Sequence, residues 1–200
     1  MDVFGTSGHA KVIFDTLSSN GIQNISFWDD DDSKQIFVGL KVLGKFEDFK
    51  NRDSNKYIVA IGNNLTRKNL VKRLRETTSF AIHNASVISS SAKIGVGTVV
   101  MANATINADT VVGNHVIVNT NASIDHDCII ADFVHVSPNA ALAGGVTVGE
   151  GSHIGIGACV IQGITIGSWC VIGAGTVVIE NVPDGCTLVG NPGRIIKRHE

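Results

Sequence analysis

The chain shows two different hydrophobic patterns, and the change between them falls near residue 80. Before that point, the aliphatic segments "DVFG", "NISFWDD" and "KYIVAIGNN" are typical of strands, whereas "GHAKVIFDTLSSNG" and "LTRKNLVKRLRET" have helical periodicity. Strands that alternate with helices of this length indicate a small parallel α/β sheet. We therefore predict a small α/β domain over residues 1–80.

From residue 82 onward, an aliphatic residue recurs at every sixth position. The series consists of Ile82, Ile88, Ile94, Val100, Ile106, Val112, Val118, Ile124, Ile130, Val136, Leu142, Val148, Ile154, Val160, Ile166, Ile172 and Val178. The residue four positions after each of these is nearly always small or β-branched, as a narrow interior requires. This period is the signature of a hexapeptide parallel β-helix, in which three hexads make one triangular coil. We predict this fold over residues 81–183, followed by a tail over residues 184–200.

One column of corner residues supports the coil length of eighteen. Asn103, Asn121 and Asn139 are eighteen residues apart, and Gly157 and Gly175 continue the series. Asparagine and glycine tolerate the left-handed backbone conformation that tight corners need. We interpret the column as a structural ladder, in which stacked amides could bond to each other, rather than as a substrate site.

Composition narrows the function classes. Hydrophobic residues make up 44% of the chain and charged residues 17%, which is typical of a folded core. A net charge of −2 does not indicate a basic surface for binding nucleic acid. Because the sequence has neither a long apolar run nor a secretory signal, we expect no membrane span and a cytoplasmic location. Four cysteines without a CxxC pair favour reduced thiols over a zinc knuckle.

The segment "SIDHDCIIADFVHVS", residues 123–137, carries the strongest chemical signal. His126 is the third residue of its hexad, so it belongs at a corner, with Asp127 beside it. One coil later, the same positions are occupied by Gly144 and Gly145, which leaves an open notch above the histidine. A carboxylate next to an imidazole fixes its tautomer and raises its basicity. We predict that His126 is a general base.

The remaining histidines leave metal binding as the rival hypothesis. His135 and His153 occupy outward positions eighteen residues apart, so they are predicted to stack. Carbonic anhydrases on similar prisms bind zinc through three histidines, two of them five apart. This chain has no such pair, and we expect no metal.

The motifs "FGTSGHAKVI", "FWDDD", "AIGNN", "IDHDC…FVHVS" and "VGNPGRIIK" together resemble the bacterial sugar N- and O-acetyltransferases of the left-handed β-helix superfamily. The chain looks most like the PglD type, which acetylates nucleotide-linked 4-amino-4,6-dideoxy sugars, and the NeuD-type sialic acid O-acetyltransferases are close relatives. The resemblance covers essentially the whole chain. It implies a Rossmann-like N-terminal subdomain, left-handed coils, and a homotrimer with active sites and acetyl-CoA between adjacent prisms.

The resemblance also implies roles for individual residues. His126 is the base and Asp127 its partner, although relatives carry Glu there and Asp125 could substitute. The residues implied in acetyl-CoA binding are His135, Gly144, Gly155, Gly173 and Ala174. Those implied in holding the nucleotide of the sugar donor are Ser7, Gly8, His9, Asp29, Asp30, Gly62 and Asn63. Backbone N–H groups at a helix start suit a diphosphate, which fits the "GTSGH" loop.

Three hypotheses follow for the activity. The first is an acetyl-CoA-dependent N-acetyltransferase that uses direct transfer, with the Gly144 N–H receiving the oxyanion and with Cys128 facing the interior. The second is an O-acetyltransferase acting on sialic acid or a polysaccharide hydroxyl. The third is a metal-dependent lyase or a non-catalytic scaffold. A nucleotide site in residues 1–80 favours the first, because free sialic acid has no diphosphate.

Overall fold

The computed structural model describes residues 1–199, and Glu200, the last residue of the predicted tail, lies outside them. The N-terminal part is a small α/β unit. Its elements are β1 (Asp2–Phe4), α1 (Gly8–Ser19), β2 (Ser26–Trp28), β3 (Ile36–Phe37), β4 (Leu40–Lys41), α2 (Phe46–Lys50), β5 (Tyr57–Val59) and α3 (Asn64–Val71). Strands β2, β1 and β5 form a parallel sheet in that order. The predicted parallel α/β sheet is therefore present.

The third helix is shorter than its sequence pattern predicted. It ends at Val71, whereas the amphipathic pattern continues to Thr77. The chain turns there because the Leu74 N–H bonds to the Val71 carbonyl at 3.0 Å, a tighter spacing than in an α-helix. This turn directs Leu74 against the aromatic cluster around Phe4 and Trp28. None of the helices in residues 1–199 is long and apolar enough to cross a membrane.

The rest of the chain is a triangular prism of two-residue parallel strands. The covered face, named for the α/β unit that lies on it, consists of β6 (Ala81–Ile82), β9 (Val99–Val100), β12 (Ile117–Val118), β15 (His135–Val136), β18 (His153–Ile154) and β21 (Val171–Ile172). The groove face consists of β7 (Val87–Ile88), β10 (Thr105–Ile106), β13 (Ser123–Ile124), β16 (Ala141–Leu142), β19 (Cys159–Val160) and β22 (Val177–Val178). The open face consists of β8 (Lys93–Ile94), β11 (Val111–Val112), β14 (Ile129–Ile130), β17 (Thr147–Val148) and β20 (Thr165–Ile166). A closing hairpin, β23 (Cys186–Val189) and β24 (Arg194–Arg198), extends the covered face.

The register confirms the six-residue period and the β-helix prediction. Each strand pairs with the one eighteen residues later, as Ile106 does with Ile124 and Ile124 with Leu142. The predicted aliphatic series forms the interior, and its members from Val100 to Val178 are at most 3% exposed. Each such burial contributes about 1.5–3 kcal/mol relative to exposure. The first members, such as Ile82, are only partly buried because no coil lies below them.

The corners adopt the left-handed conformation that the asparagine column predicted. Asn103, Asn121 and Asn139 each have φ of 58°, and Gly157 has φ of 64°. The expected bonds between stacked amides are absent from residues 1–199. The column is linked through the backbone instead, for example from the Asn121 N–H to the carbonyl of Ala102 at 3.1 Å. Backbone geometry alone therefore accounts for these asparagines.

The α/β unit packs on the covered face through α1. Ala10, Ile13 and Leu17 on this helix share one buried cluster with Val99 and Ile117 of the prism. Helix α3 lies against the corner between the open and covered faces, where its side chains bond to the corner backbone. The N-terminal loops are therefore held over the covered face.

Candidate active site

His126 lies at the corner between the groove and open faces, opposite the covered face. Asp127 has φ of 58° and forms the left-handed turn of this corner. Its Oδ2 lies 2.7 Å from Nδ1 of His126. The Oδ1 of Asp125 accepts instead the backbone N–H of His126 and the amide of Asn107, both at 2.8 Å. In this structure Asp127 therefore contacts the ring, whereas Oδ1 of Asp125 holds the backbone of the corner.

Gly144 leaves room for the imidazole ring one coil above. A Cβ at this position would lie 2.6 Å from both Cε1 and Nε2 of His126, so a side chain here would displace the ring. The neighbouring N–H of Gly145 bonds to the carbonyl of His126 at 2.9 Å, and that of Ala143 bonds to Val160. The Gly144 N–H has no acceptor among residues 1–199. The corner therefore contains both the imidazole and a backbone donor that is free to bind a ligand.

The electrostatics of the corner favour a basic imidazole. The side chain of His126 is 60% exposed. The hydrogen bond from Asp127 and the negative charge of Asp125 raise the pKa of His126 above its usual 6.5. With Nδ1 donating to Asp127, the lone pair of Nε2 points away from this carboxylate and is available for a proton. This arrangement can abstract a proton from a bound nucleophile.

Cys128 is unsuited to carry an acyl group. Its side chain is fully buried in the interior, as the hexad phase predicted. The thiol donates to the carbonyl of Ala143 at 3.3 Å, and burial raises the pKa of Cys128. Because the thiolate is the nucleophilic form, the thiol is unreactive here.

A shallow groove of about 340 Å³ runs along the groove face next to this corner. Small outward side chains, among them Ser123, Ala141 and Cys159, line it. Of the predicted acetyl-CoA residues, Gly144 borders the groove face at the His126 corner. Gly155, Gly173 and Ala174 border its opposite edge: a Cβ at Gly155 would lie 2.7 Å from both Ala174 N and Gly173 C.

His135, also predicted to contact acetyl-CoA, lies apart from these residues on the covered face. As predicted, it stacks on His153, with ring centroids 4.7 Å apart. The α/β unit covers this pair, and His9 lies with its ring centroid 6.5 Å from that of His135. Burial lowers the pKa of His9 to about 4 and that of His135 to about 3, with the charge on Arg67 acting in the same direction. These imidazoles are therefore neutral near pH 7.

The predicted nucleotide residues at the N-terminal end cluster around the start of α1. Ser7 precedes the helix and Gly8 begins it, and both are exposed. The carboxylate of Asp29 accepts the Thr6 N–H at 2.7 Å and the Thr6 hydroxyl at 2.5 Å. Asp30 accepts the Phe46 N–H at 2.8 Å. Both carboxylates thus hold the loops in shape, and only their remaining lone pairs are free for a ligand.

The segment around Gly62 and Asn63 lies beside α1 and contains residues that sequence reasoning missed. Asn63 caps α3 by accepting the Thr66 N–H at 2.9 Å. Asn64 is buried and donates to the carbonyl of Gly151 in the prism. Arg67 is only 2% exposed, although it lies in a segment rich in basic residues. No spacing rule in the sequence distinguishes this arginine from its neighbours.

The structure separates two groups of predicted residues within one chain. The nucleotide loops and His135 lie at the covered face, whereas His126, Asp127 and Gly144 lie at the opposite corner. Within residues 1–199, no group of three or more His, Cys, Asp or Glu side chains is placed to hold a metal ion.

Comparisons with known proteins identify similar chains. A family model described as "PglD N-terminal domain" matches residues 2–74. The acetyltransferase domain of PglB from Neisseria gonorrhoeae FA1090 is 39% identical, with a TM-score of 0.93 and 98% of each chain covered. Its structure is also known in complex with acetyl coenzyme A.

Two further solved structures extend the similarity. A histidine-to-asparagine mutant of perosamine N-acetyltransferase from Caulobacter crescentus, in complex with CoA and GDP-perosamine, is 36% identical with a TM-score of 0.92. The match covers 98% of this chain and 96% of that one. WeeI from Acinetobacter baumannii AYE is 27% identical, with a TM-score of 0.81 and 98% of each chain covered.

One curated sequence relative matches over a shorter segment. The uncharacterized protein L142 of Acanthamoeba polyphaga mimivirus is 32% identical over 104 residues, which is 52% of this chain. The match spans only 21% of that relative's length.

Proposed function

The chain belongs to the PglD-type sugar N-acetyltransferases of the left-handed β-helix class, and on this premise we propose that it acetylates the 4-amino group of a nucleotide-linked 4-amino-4,6-dideoxy sugar. The acetyl donor is acetyl-CoA. The observation that carries the proposal is the corner at which the His126 ring bonds to Asp127 and lies under Gly144. Relatives 36–39% identical to the chain, solved with acetyl-CoA, or with CoA and an amino-sugar nucleotide, support the substrate class.

In the proposed reaction, the neutral sugar amine attacks the thioester carbonyl while Nε2 of His126 takes a proton from the nitrogen. Asp127 keeps Nδ1 protonated and stabilises the imidazolium that forms. The tetrahedral oxyanion accepts a hydrogen bond from the free Gly144 N–H. Collapse of this intermediate expels the CoA thiolate, which takes up the proton. Direct transfer needs no acyl-enzyme, in agreement with the buried Cys128.

We propose that acetyl-CoA binds along the groove face. The small side chains of Ser123 and Ala141 leave a shallow path there. Gly155, Gly173 and Ala174 lie at the far edge, where small residues let successive coils stack closely, and their backbone is proposed to line the pantetheine path. His135 stays a proposed contact with acetyl-CoA, although it lies on a different face of the prism, under the α/β unit of its own chain.

The nucleotide of the sugar is proposed to bind at the α1 start. Ser7, Gly8 and His9 offer the N–H groups of a helix N-terminus to a diphosphate. Gly62 has open space where a side chain would be, so a ligand can approach its backbone. Asp29 and Asp30 shape the adjoining loops and can use their free lone pairs for ribose or base donors.

We infer that three copies assemble so that a donor held by one copy reaches His126 of another. The separation of the nucleotide loops from His126 within one chain supports this arrangement. Exposed aliphatic side chains on the groove and open faces also support it, among them Val87 at 65% and Ile129 at 53% exposure. Acetyl-CoA and nucleotide sugars are cytoplasmic metabolites, so we propose a cytoplasmic role in glycan precursor synthesis.

A substrate screen tests the proposed function. The purified protein is incubated with acetyl-CoA and UDP-, GDP- or dTDP-linked 4-amino-4,6-dideoxy sugars, and CoA release and the acetylated product are measured. Matching 4-hydroxy sugar nucleotides and free sialic acid serve as controls. Acetylation of an amino-sugar nucleotide is the expected result. Activity on sialic acid or a hydroxyl alone would favour the O-acetyltransferase alternative and overturn the proposal.

A further inference from the structure

Arg67 is buried at the junction between the α/β unit and the prism. Its guanidinium donates hydrogen bonds both to the segment before α3 and to a corner of the prism. Nη1 donates to the carbonyls of Ile61 and Gly62 at 2.9 and 3.3 Å. Nε and Nη2 donate to the prism corner, at the carbonyls of His115 (2.9 Å) and Phe133 (2.8 Å). One side chain therefore joins the Gly62 segment to the rigid corner of the β-helix.

No carboxylate among residues 1–199 forms an ion pair with Arg67. Burial lowers its pKa to about 9, so it still carries a positive charge near pH 7. A buried charge without a counter-ion is costly, and here only carbonyl dipoles and the Asn64 side chain compensate it. The next residue, Lys68, provides a contrast because it pairs with Glu150 and lies over the ring of Trp169.

The charge of Arg67 acts on the groups around the predicted nucleotide loops. It contributes to the lowered pKa of His9 and of His135, although burial is the larger cause in both. A field that disfavours a second cation favours an anion at the same place. The start of the twelve-residue helix α1, which directs its free N–H groups and positive dipole end outward, lies in this region. Asp29, whose carboxylate bonds to Thr6 near this helix start, is itself paired with Lys34.

We propose that Arg67 is the positioning residue for the diphosphate of the nucleotide-linked donor. It fixes the Gly62–Asn63 segment at the distance from α1 that the diphosphate requires, and it supplies positive potential from beneath without touching the ligand. This inference rests on the proposed function. The sugar and acetyl-CoA do not depend on Arg67 in this account, so its effect is confined to the nucleotide.

The test compares Arg67→Lys and Arg67→Met with Lys68→Met. Lys68 anchors the same helix to the same corner but makes no bond to the Gly62 segment. Titration calorimetry with UDP, GDP and dTDP gives the Kd of the preferred nucleotide, steady-state kinetics give KM for both substrates, and melting curves report stability. We expect Arg67→Met to raise the nucleotide Kd about two- to thirtyfold, the usual range for a residue that acts on a site without touching its ligand. Arg67→Lys keeps the charge but not the planar guanidinium, so its nucleotide Kd is expected to lie between those of Arg67→Met and wild type.

The KM for acetyl-CoA should change less than about twofold in every variant, because the groove face lies elsewhere. Lys68→Met should lower the melting temperature without weakening nucleotide binding. Equal nucleotide affinity in wild type and Arg67→Met, or equal losses for both substrates, would overturn the inference. If wild type itself binds no nucleotide, the proposed function fails instead.

A measurement on the unmutated protein covers the case in which the Arg67 variants do not fold. The buried Nε–H of Arg67 is expected to give a slowly exchanging NMR signal, assigned through its backbone. Saturating nucleotide should shift this signal, whereas acetyl-CoA should leave it in place. An unshifted signal under saturating nucleotide contradicts the proposal.

Discussion

The His126 corner and the covered face carry the same residue type in opposite environments. His126 is exposed and bonded to a carboxylate, which raises its pKa. His135 is enclosed by the α/β unit and another imidazole, and burial lowers its pKa to about 3. The two histidines are only nine residues apart in the sequence. The difference follows from the surroundings of each ring: a carboxylate partner at an open corner keeps His126 basic, whereas burial under the α/β unit keeps His135 neutral.

Removal of the His126 imidazole is expected to have the largest effect on the rate. We expect His126→Ala to lower kcat by about 10²–10⁴, the usual contribution of a general base. Acetyl-CoA affinity should be nearly unchanged, since the ring only borders the groove. Steady-state kinetics together with calorimetric titration of CoA measure both quantities. His153→Ala serves as the control from the covered face and should retain far more activity.

Filling the notch above His126 is expected to have the next largest effect. In Gly144→Ala, the new Cβ would lie 2.6 Å from the imidazole, so the ring must move. A displacement of about 1 Å costs roughly a hundredfold in kcat/KM. Gly163→Asn is the matched control, because it occupies a left-handed position of the same corner column with open space around it. If Gly144→Ala is as active as this control, the ring does not need the notch.

Replacing the carboxylate partner should lower the pKa of His126 and so reduce its difference from that of His135. Asp127→Asn removes the carboxylate charge that raises the pKa of His126, so the rising limb of kcat/KM should move to lower pH. The plateau should fall by less than the loss of about 10²–10⁴ expected for His126→Ala, because the base is weakened but still present. A pH–rate profile over pH 5–9 measures it. Asp125→Asn, which disturbs the backbone bond and not the ring, should leave the limb nearer its wild-type position.

The buried histidines are expected to affect stability rather than rate. Their folded-state pKa values, about 4 for His9 and about 3 for His135, lie below the unfolded value near 6.5. The unfolded chain therefore binds more protons below pH 6.5, and stability is complete above this pH and lost as pH falls. The slope is at most about 1.4 kcal/mol per pH unit for each group. Denaturant titrations at pH 7 and 5 should show this loss, and His135→Phe should reduce it.

The prism could be predicted in detail because its geometry is a direct function of sequence position. A fixed six-residue period assigns each side chain to the interior, a face or a corner, so the phases of His126 and Ile124 were correct from counting alone. Stacking of His135 on His153 followed from the same rule. In a solenoid, contacts are made between residues a constant distance apart, and that distance is visible in the sequence.

The α/β unit was less predictable because its contacts join distant segments. Burial of Arg67 depends on carbonyls 48 and 66 residues away. The use of Asp29 and Asp30 to hold neighbouring loops, and the short hairpin β3–β4, also depend on tertiary packing rather than on a period. The position of a residue in its hexad predicts only whether its side chain points into or out of the prism. It could not predict that the α/β unit covers the face that carries His135.

NMR titration of the His126 ring, compared with the pH dependence of kcat/KM, shows whether His126 is the general base. The signal is identified by its loss in His126→Gln, and the ionisation of the sugar amine is titrated separately. The account predicts that the ring titrates above 6.5 and that the limb of kcat/KM not due to the amine coincides with it. A limb at a different pKa, with His126 titrating independently of the rate, would contradict the assignment of His126 as the base.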